Sequence, residues 1–155
     1  MFIEKQKLDF ILEKMQCGRL GVLSEDGTID LMPVVFAKVK ESIFTPIDEK
    51  PKRRGRVTRL DSIKMSPSVT LLLDHYSSSW ADLWWIKLKG NACEIDERSC
   101  KFPAAVAALK QKYGQYNNIG VVQKTHPTLI EIQYTEIKVW AYSGAAGFDN
   151  WIGDQ

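Results

Sequence analysis

Six basic side chains fall within ten residues of this chain: Lys50, Lys52, Arg53, Arg54, Arg56 and Arg59. The run follows a β-like stretch ending at Phe44-Thr45, which puts concentrated positive charge at the end of a strand. The chain as a whole carries a formal charge of only +2 at pH 7, so the cluster is local and not a general coating. Such a site suits a small polyanion, most simply a phosphate. Duplex nucleic acid calls for a broader basic face.

The competing reading of this run is a solvated loop and helix face. Against it stands the repulsion of like charges. Lys52, Arg56 and Arg59 are spaced four and three apart, so they share one side if a helix reaches back to Lys52. Gly55 interrupts that helix. Charges placed this way repel unless an anion neutralises them. Arginine's planar fork grips two phosphate oxygens at once, whereas Lys50 and Lys52 act as point charges. Lys52, Arg56 and Arg59 are the expected direct contacts, with Arg53 and Arg54 free to face solvent.

Other chemistries have little to work with. Cys17, Cys93 and Cys100 share no metal-like spacing and leave an odd thiol if two pair, so free thiols in a reducing cytoplasm are expected. His75 and His126 are the only histidines, and no His/Cys cluster exists for zinc. No nucleophile–histidine–acid arrangement and no glycosidase-like carboxylate pair stands out. The first residues lack the layout of a secretory signal, and no 18-residue apolar run is present, so no membrane partner is expected.

At 155 residues and 45% hydrophobic side chains, one globular domain spanning 1–155 is expected. Leu8, Ile11, Leu12 and Met15 recur at helical spacing and predict a helix over 4–15. Strands are predicted over 19–24, 30–36 and 42–45, with a tight turn at Glu25-Asp26-Gly27. Pro33 marks an edge, a bulge or a break in pairing. A helix over roughly 56–65 stops before Ser66-Pro67. Strands follow at 68–75 and 83–95, then a helix over 99–113 with Ser99 as a possible cap and Pro103 in its early turns. Residues 128–140 return to strand alternation, with Ile130, Ile132 and Tyr134 facing one way.

This order, without repeats or a βαβ rhythm, describes a mainly β fold: a small antiparallel barrel with peripheral helices. Nucleic-acid-binding barrels of similar size are the rival. They are disfavoured because the basic groups bunch at one strand end and do not interleave with aromatics across a sheet. Trp84 and Trp85 are adjacent in a strand and point to opposite faces, so only one fills the barrel. The other is left for a dimer interface or a ligand groove.

Taken together, these residues resemble the flavin/deazaflavin-binding split β-barrel proteins of the pyridoxamine 5'-phosphate oxidase-like superfamily, above all its branch of oxidoreductases dependent on coenzyme F420. The resemblance rests on Arg19-Leu20-Gly21-Val22-Leu23, Asp26-Gly27 with Met32-Pro33-Val34-Val35-Phe36, and Asp48-Glu49-Lys50-Pro51-Lys52. It continues through Arg59-Leu60-Asp61-Ser62-Ile63, Leu72-Leu73-Asp74-His75-Tyr76, Trp80, and Leu83-Trp84-Trp85 before Gly90-Asn91-Ala92. Ser62 and Ser66 stand where close relatives more often have Asn. The tail after Tyr142 has no counterpart in the resemblance.

The resemblance implies an FMN-binding split β-barrel acting as a homodimer, with a cofactor in each groove between the two barrels. Met32, Pro33 and Val34 then belong to the strand whose backbone lies against the ring. Lys52, Arg56 and Arg59, with Lys50 nearby, hold the phosphate side. His75, Tyr76 and Trp80 form the pocket wall, and the partner contributes residues near Trp140. The implied activity is cytoplasmic hydride transfer from reduced coenzyme F420 to a small unsaturated or heteroaromatic organic substrate. The alternatives are an FMN-binding oxidoreductase of the same fold and a non-enzymatic flavin- or tetrapyrrole-binding protein. No catalytic side chain is assigned; His75 and Tyr76 are the candidates for supplying a proton.

Overall fold

The computed structural model describes residues 1–47, 58–117 and 128–155. Within these residues seven strands form one antiparallel sheet: β1 (Gly18–Leu23), β2 (Ile29–Val34), β3 (Ala37–Val39), β4 (Ser42–Pro46), β5 (Ser68–His75), β6 (Trp84–Asp96) and β7 (Thr128–Ala141). Their spatial order is β2-β1-β5-β6-β7-β4-β3. Among the described residues four α-helices accompany them: α1 (Lys5–Lys14), α2 (Thr58–Met65), α3 (Phe102–Lys112) and α4 (Ala145–Gly153).

The connectivity forces the sheet to roll. β2 and β3 occupy opposite edges, yet only Val35 and Phe36 separate them in the chain. A flat sheet of seven strands is about 29 Å wide at about 4.8 Å per strand. A two-residue link reaches at most about 11 Å. The edges must therefore come together, and the inner sides of all but the shortest strand meet in one core. Leu20, Val22, Val34, Ile43, Val69, Leu71, Leu73, Trp84, Ile86, Leu88, Ile130 and Ile132 all belong to it.

Strand alternation produces this core. In β5, Val69, Leu71 and Leu73 are buried while Thr70, Leu72 and Asp74 are less so. Leu8, Ile11 and Leu12 of α1 close the core from one side. A second apolar cluster lies on the outer face, where Phe102, Ala105, Leu109 and Tyr113 of α3 cover Ala37, Phe44 and Leu129. The same face buries Glu131, which is 3% exposed. Burial pushes its carboxyl up, but hydrogen bonds from Lys101 Nζ at 2.6 Å, Ser42 Oγ at 2.7 Å and Gln133 Nε2 at 3.1 Å outweigh that. The net result lies below the usual carboxylate range.

Several sequence expectations need adjustment. The strand expected over 30–36 ends at Val34, because Val35 and Phe36 form the edge-to-edge link. The short strand β3, made of Ala37-Lys38-Val39, follows it and was not anticipated. α3 begins at Phe102 with Lys101 in the cap position, so Ser99 is not the cap. Ser99 lies in the preceding turn, where its carbonyl accepts the Phe102 N–H at 3.0 Å and its hydroxyl the Lys101 N–H at 3.3 Å. The tail after Tyr142 is α4, which packs Phe148 and Trp151 against Trp84. Pro33 does sit on an edge strand, as its missing donor requires. Cys17, Cys93 and Cys100 are free thiols.

Candidate functional site

Across the outer face, direct cross-strand partners define three rows. The first is Leu31–Gly21–Thr70–Lys89–Glu136. The second is Pro33–Arg19–Leu72–Lys87–Lys138. The third, nearer the end of the barrel, is Asp74–Trp85–Trp140. Because opposed residues in an antiparallel pair face the same way, each row projects from one side of the sheet.

The first row, together with Arg19, Leu72 and Lys87 of the second, lines an open groove of about 600 Å³. Small residues make its floor. At Gly21 an added Cβ would meet the Thr70 carbonyl only at 3.7 Å and Ile29 and Leu31 at 3.8 Å, so the space above is real. One wall is apolar, with Leu23, Ile29 and Leu31 exposed at 42%, 75% and 63%. The other side is cationic, with Lys87 and Lys89 of β6 and Arg19 of β1. Arg19 donates to Asp74 at 2.6 Å, and Lys89 lies 3.8 Å from Glu136. Lys87 Nζ stands 4.6 Å over the Trp85 ring, and Trp85 stacks on Trp140 with centroids 6.4 Å apart.

The anticipated site residues distribute as follows. Pro33 lies on the groove side of β2, while Met32 and Val34 of the same strand point inward, Val34 to only 6% exposure. Trp140 lies on the outer face. His75 faces the interior beside Trp84 and Trp151, its ring centroid 6.2 Å and 6.4 Å from theirs. Tyr76 and Trp80 are exposed at that same end of the sheet, and Trp80 meets Tyr142 edge-on at 5.9 Å. Arg59 is half-buried in the first turn of α2, which packs against β1 and β6. Lys50, Lys52 and Arg56 lie outside the described residues, as do Arg53 and Arg54.

Trp84 and Trp85 resolve as the alternation requires: Trp84 is fully buried and Trp85 half-buried on the outer face. The indole Nε1 of Trp84 is buried without a hydrogen-bond partner. Arg19, Gly21, Thr70, Leu72, Lys87 and Lys89 were not assigned to the site from the sequence, although Arg19, Gly21 and Leu72 fall in segments that carry the resemblance. Their signal was present in β6, where Lys87 and Lys89 alternate with the inward Ile86 and Leu88.

A second cleft of about 620 Å³ lies between α1, β3 and α3. Two of its cations are already engaged, Lys38 with Asp9 at 3.1 Å and Lys112 with the Leu12 carbonyl at 2.7 Å. Among the described residues no group of three His, Cys, Asp or Glu could hold a metal ion, and no helix is long and apolar enough to cross a membrane.

The residues present fit a flat anionic cofactor. An open floor, an apolar wall and an opposing cationic wall match a planar ring system carrying a phosphate-bearing arm.

No protein-family model matches the chain, and no curated protein sequence matches it. Solved structures do. HutZ, the heme storage protein from Vibrio cholerae, aligns with a TM-score of 0.67 and 13% identity, covering 91% of this chain and 95% of that one. An FAD-binding protein from Mesorhizobium loti aligns with a TM-score of 0.63 and 12% identity, over 88% and 94% of the two chains. A candidate pyridoxamine 5'-phosphate oxidase from Listeria innocua aligns at 0.62 and 18%, over 86% and 95%. At such identities the likeness is one of fold. The fold is the split β-barrel of the pyridoxamine 5'-phosphate oxidase-like kind, mainly antiparallel β with peripheral helices.

Proposed function

We propose that the chain is an oxidoreductase that binds a flavin-type cofactor on the outer face of its sheet, at a groove closed by a second copy of itself. The observation that carries this reading is the open groove over Gly21 and Thr70, apolar along Ile29 and Leu31 and cationic along Arg19, Lys87 and Lys89. Structures sharing the fold include a protein described as FAD-binding, which supports a flavin as the ligand. Within that class we favour coenzyme F420 over FMN, since its phosphodiester and acidic tail use more positive charge than one phosphate does. The basic run from Lys50 to Arg59, with Lys52, Arg56 and Arg59 foremost, is assigned to that anionic arm.

When bound, the reduced cofactor supplies a hydride to an unsaturated or heteroaromatic acceptor. The chain's own residues orient the ring and exclude water. Apolar Ile29 and Leu31, exposed on one copy, lose that exposure when a second copy covers them. Pro33 places a backbone without a donor N–H at the groove's edge. Tyr76, exposed at the barrel end, is the candidate for delivering a proton, whereas His75 faces the interior beside Trp84 and Trp151, away from the outer-face groove.

The decisive experiment incubates the purified protein separately with FMN and with coenzyme F420, followed by desalting and fluorescence. Retention of F420 is expected, with light scattering giving about twice the 17.7 kDa chain mass. Retention of FMN alone would transfer the assignment to an FMN oxidoreductase. Retention of neither would overturn the proposal. The Gly21→Leu variant, which fills the groove, should abolish retention with its circular dichroism intact.

A second reading is a non-enzymatic tetrapyrrole-binding protein. The fold is shared with a heme storage protein, and Tyr76, Trp80 and Tyr142 form an exposed aromatic surface at one end of the sheet. Tight heme binding without flavin retention or hydride transfer would favour it.

A further inference from the structure

We infer that Lys87 is the anchor of a separate oxyanion subsite in the groove, one that takes the carboxylate of a flat, unsaturated organic acid. The inference deepens the proposed function, on which it rests, by naming the class of acceptor.

The argument begins with charge pairing. Lys87 and Lys138 are direct cross-strand partners, and Lys89 follows two residues along the same face. Like charges set directly opposite each other destabilise a sheet. The neighbours of Lys87 are each relieved by a carboxylate: Arg19 by Asp74 at 2.6 Å, and Lys138 by Glu136 at 3.1 Å. Glu136 also lies 3.8 Å from Lys89. Among the described residues Lys87 has no such carboxylate. Its Nζ stands over the Trp85 ring instead, 4.6 Å from the centroid.

A half-buried ammonium in this position has two consequences. Its ammonium already rests over the Trp85 ring, so less side-chain freedom remains to be lost on binding. Its charge faces a groove lined by three cations, Arg19, Lys87 and Lys89, and one carboxylate, Glu136, which already pairs with Lys138 and lies 3.8 Å from Lys89. One added carboxylate beside Lys87 lowers that imbalance.

The body of the ligand follows from the flanking surface. Leu72 lies directly across from Lys87 on β5, and Trp85 lies along the same strand. Ile29 and Leu31 form the far wall. An acid whose carboxylate meets Lys87 therefore lays a flat apolar portion over Leu72, beside the floor at Gly21 and Thr70. No acidic side chain lines the groove near Lys87 other than Glu136.

The test uses cinnamate as probe and cinnamamide as its neutral, nearly isosteric control, followed by Trp fluorescence and calorimetry on the full chain. Cinnamate should bind about 10-fold or more tightly than the amide, the effect of one charge-assisted hydrogen bond. Lys87→Met should remove the difference, and Lys87→Arg should retain it. The titrations are repeated on protein loaded with FMN or F420. Persistence of the acid preference places the subsite beside the cofactor. Its loss on loading would mean that Lys87 serves the cofactor's own phosphate, which overturns the inference. Equal binding of acid and amide would overturn it too, as expected if a carboxylate of a second copy already neutralises Lys87. If neither cofactor is retained, the cofactor reading falls while the cofactor-free titration still decides the subsite.

Discussion

The hydroxyl of Tyr113 accepts the Phe36 backbone N–H at 3.1 Å, tying the end of α3 to the two-residue link between opposite edges of the sheet. The same hydroxyl stands 3.0 Å from the carbonyls of Phe36 and Gln16 and donates its one proton to this pair. Burial pushes its pKa up to about 12, so it stays protonated at any working pH. One phenol thus joins the chain leaving α1, the seam of the barrel and α3.

Removing that hydroxyl leaves the Phe36 N–H buried and unpaired. Tyr113→Phe should lower stability by about 1–3 kcal/mol, the desolvation cost of one buried orphaned polar group. Urea unfolding of both proteins measures it. A change within error would mean that a water replaces the phenol at the seam.

A second prediction contrasts two glycines on the outer sheet. At Gly90 an added Cβ would lie 2.0 Å from the Gln133 carbonyl and 2.6 Å from the Tyr134 Cα, beside the point where the β6–β7 register shifts. Both atoms are backbone and cannot swing aside. Gly90→Ala should therefore cost at least about 2–3 kcal/mol. Gly21→Ala, whose nearest contacts begin at 3.7 Å, should stay within about 1 kcal/mol of wild type. Parallel denaturation of the two variants decides this, and equal losses would refute the close approach at Gly90.

How far the sequence discloses this molecule depends on how locally each feature is encoded. β5 was legible to the residue, because Val69, Leu71 and Leu73 alternate cleanly with less buried neighbours. The opposite facing of Trp84 and Trp85 was legible for the same reason. Which of them goes inside was not, since that depends on Phe148 and Trp151 arriving from α4. α4 itself was not read from the sequence, because Gly144-Ala145-Ala146-Gly147 carries no apolar periodicity and the helix is anchored by Phe148 and Trp151 against Trp84. β3 is three residues long, below what alternation can signal. In the groove, the cations of β6 were readable from their period of two, but the space over Gly21 and Thr70 arises only when β1 and β5 pair. The basic run that drew most attention lies largely outside the described residues, Arg59 excepted.

The last prediction concerns pH and Lys112. Its ammonium donates to the Leu12 carbonyl at 2.7 Å and stands 3.9 Å over the Phe36 ring. Burial pulls its pKa from 10.5 down to about 8, with Glu13 pulling weakly the other way. Between pH 8 and about 10 the unfolded chain still carries this proton and the folded one has released it. The unfolded state therefore binds more protons there, and stability rises with pH through this window. Above about pH 10 the sign reverses, because the folded Tyr113 keeps a proton that the unfolded chain loses. The slope due to Lys112 should stay below the limit of about 1.4 kcal/mol per pH unit, since part of the side chain is solvated. Lys112→Met removes the titration, so the stability of wild type relative to this variant should climb between pH 8 and 9.5. Urea titrations at pH 7.5, 8.5 and 9.5 measure the climb. A constant difference would show that the Leu12 carbonyl and the Phe36 ring hold the proton against the cost of burial.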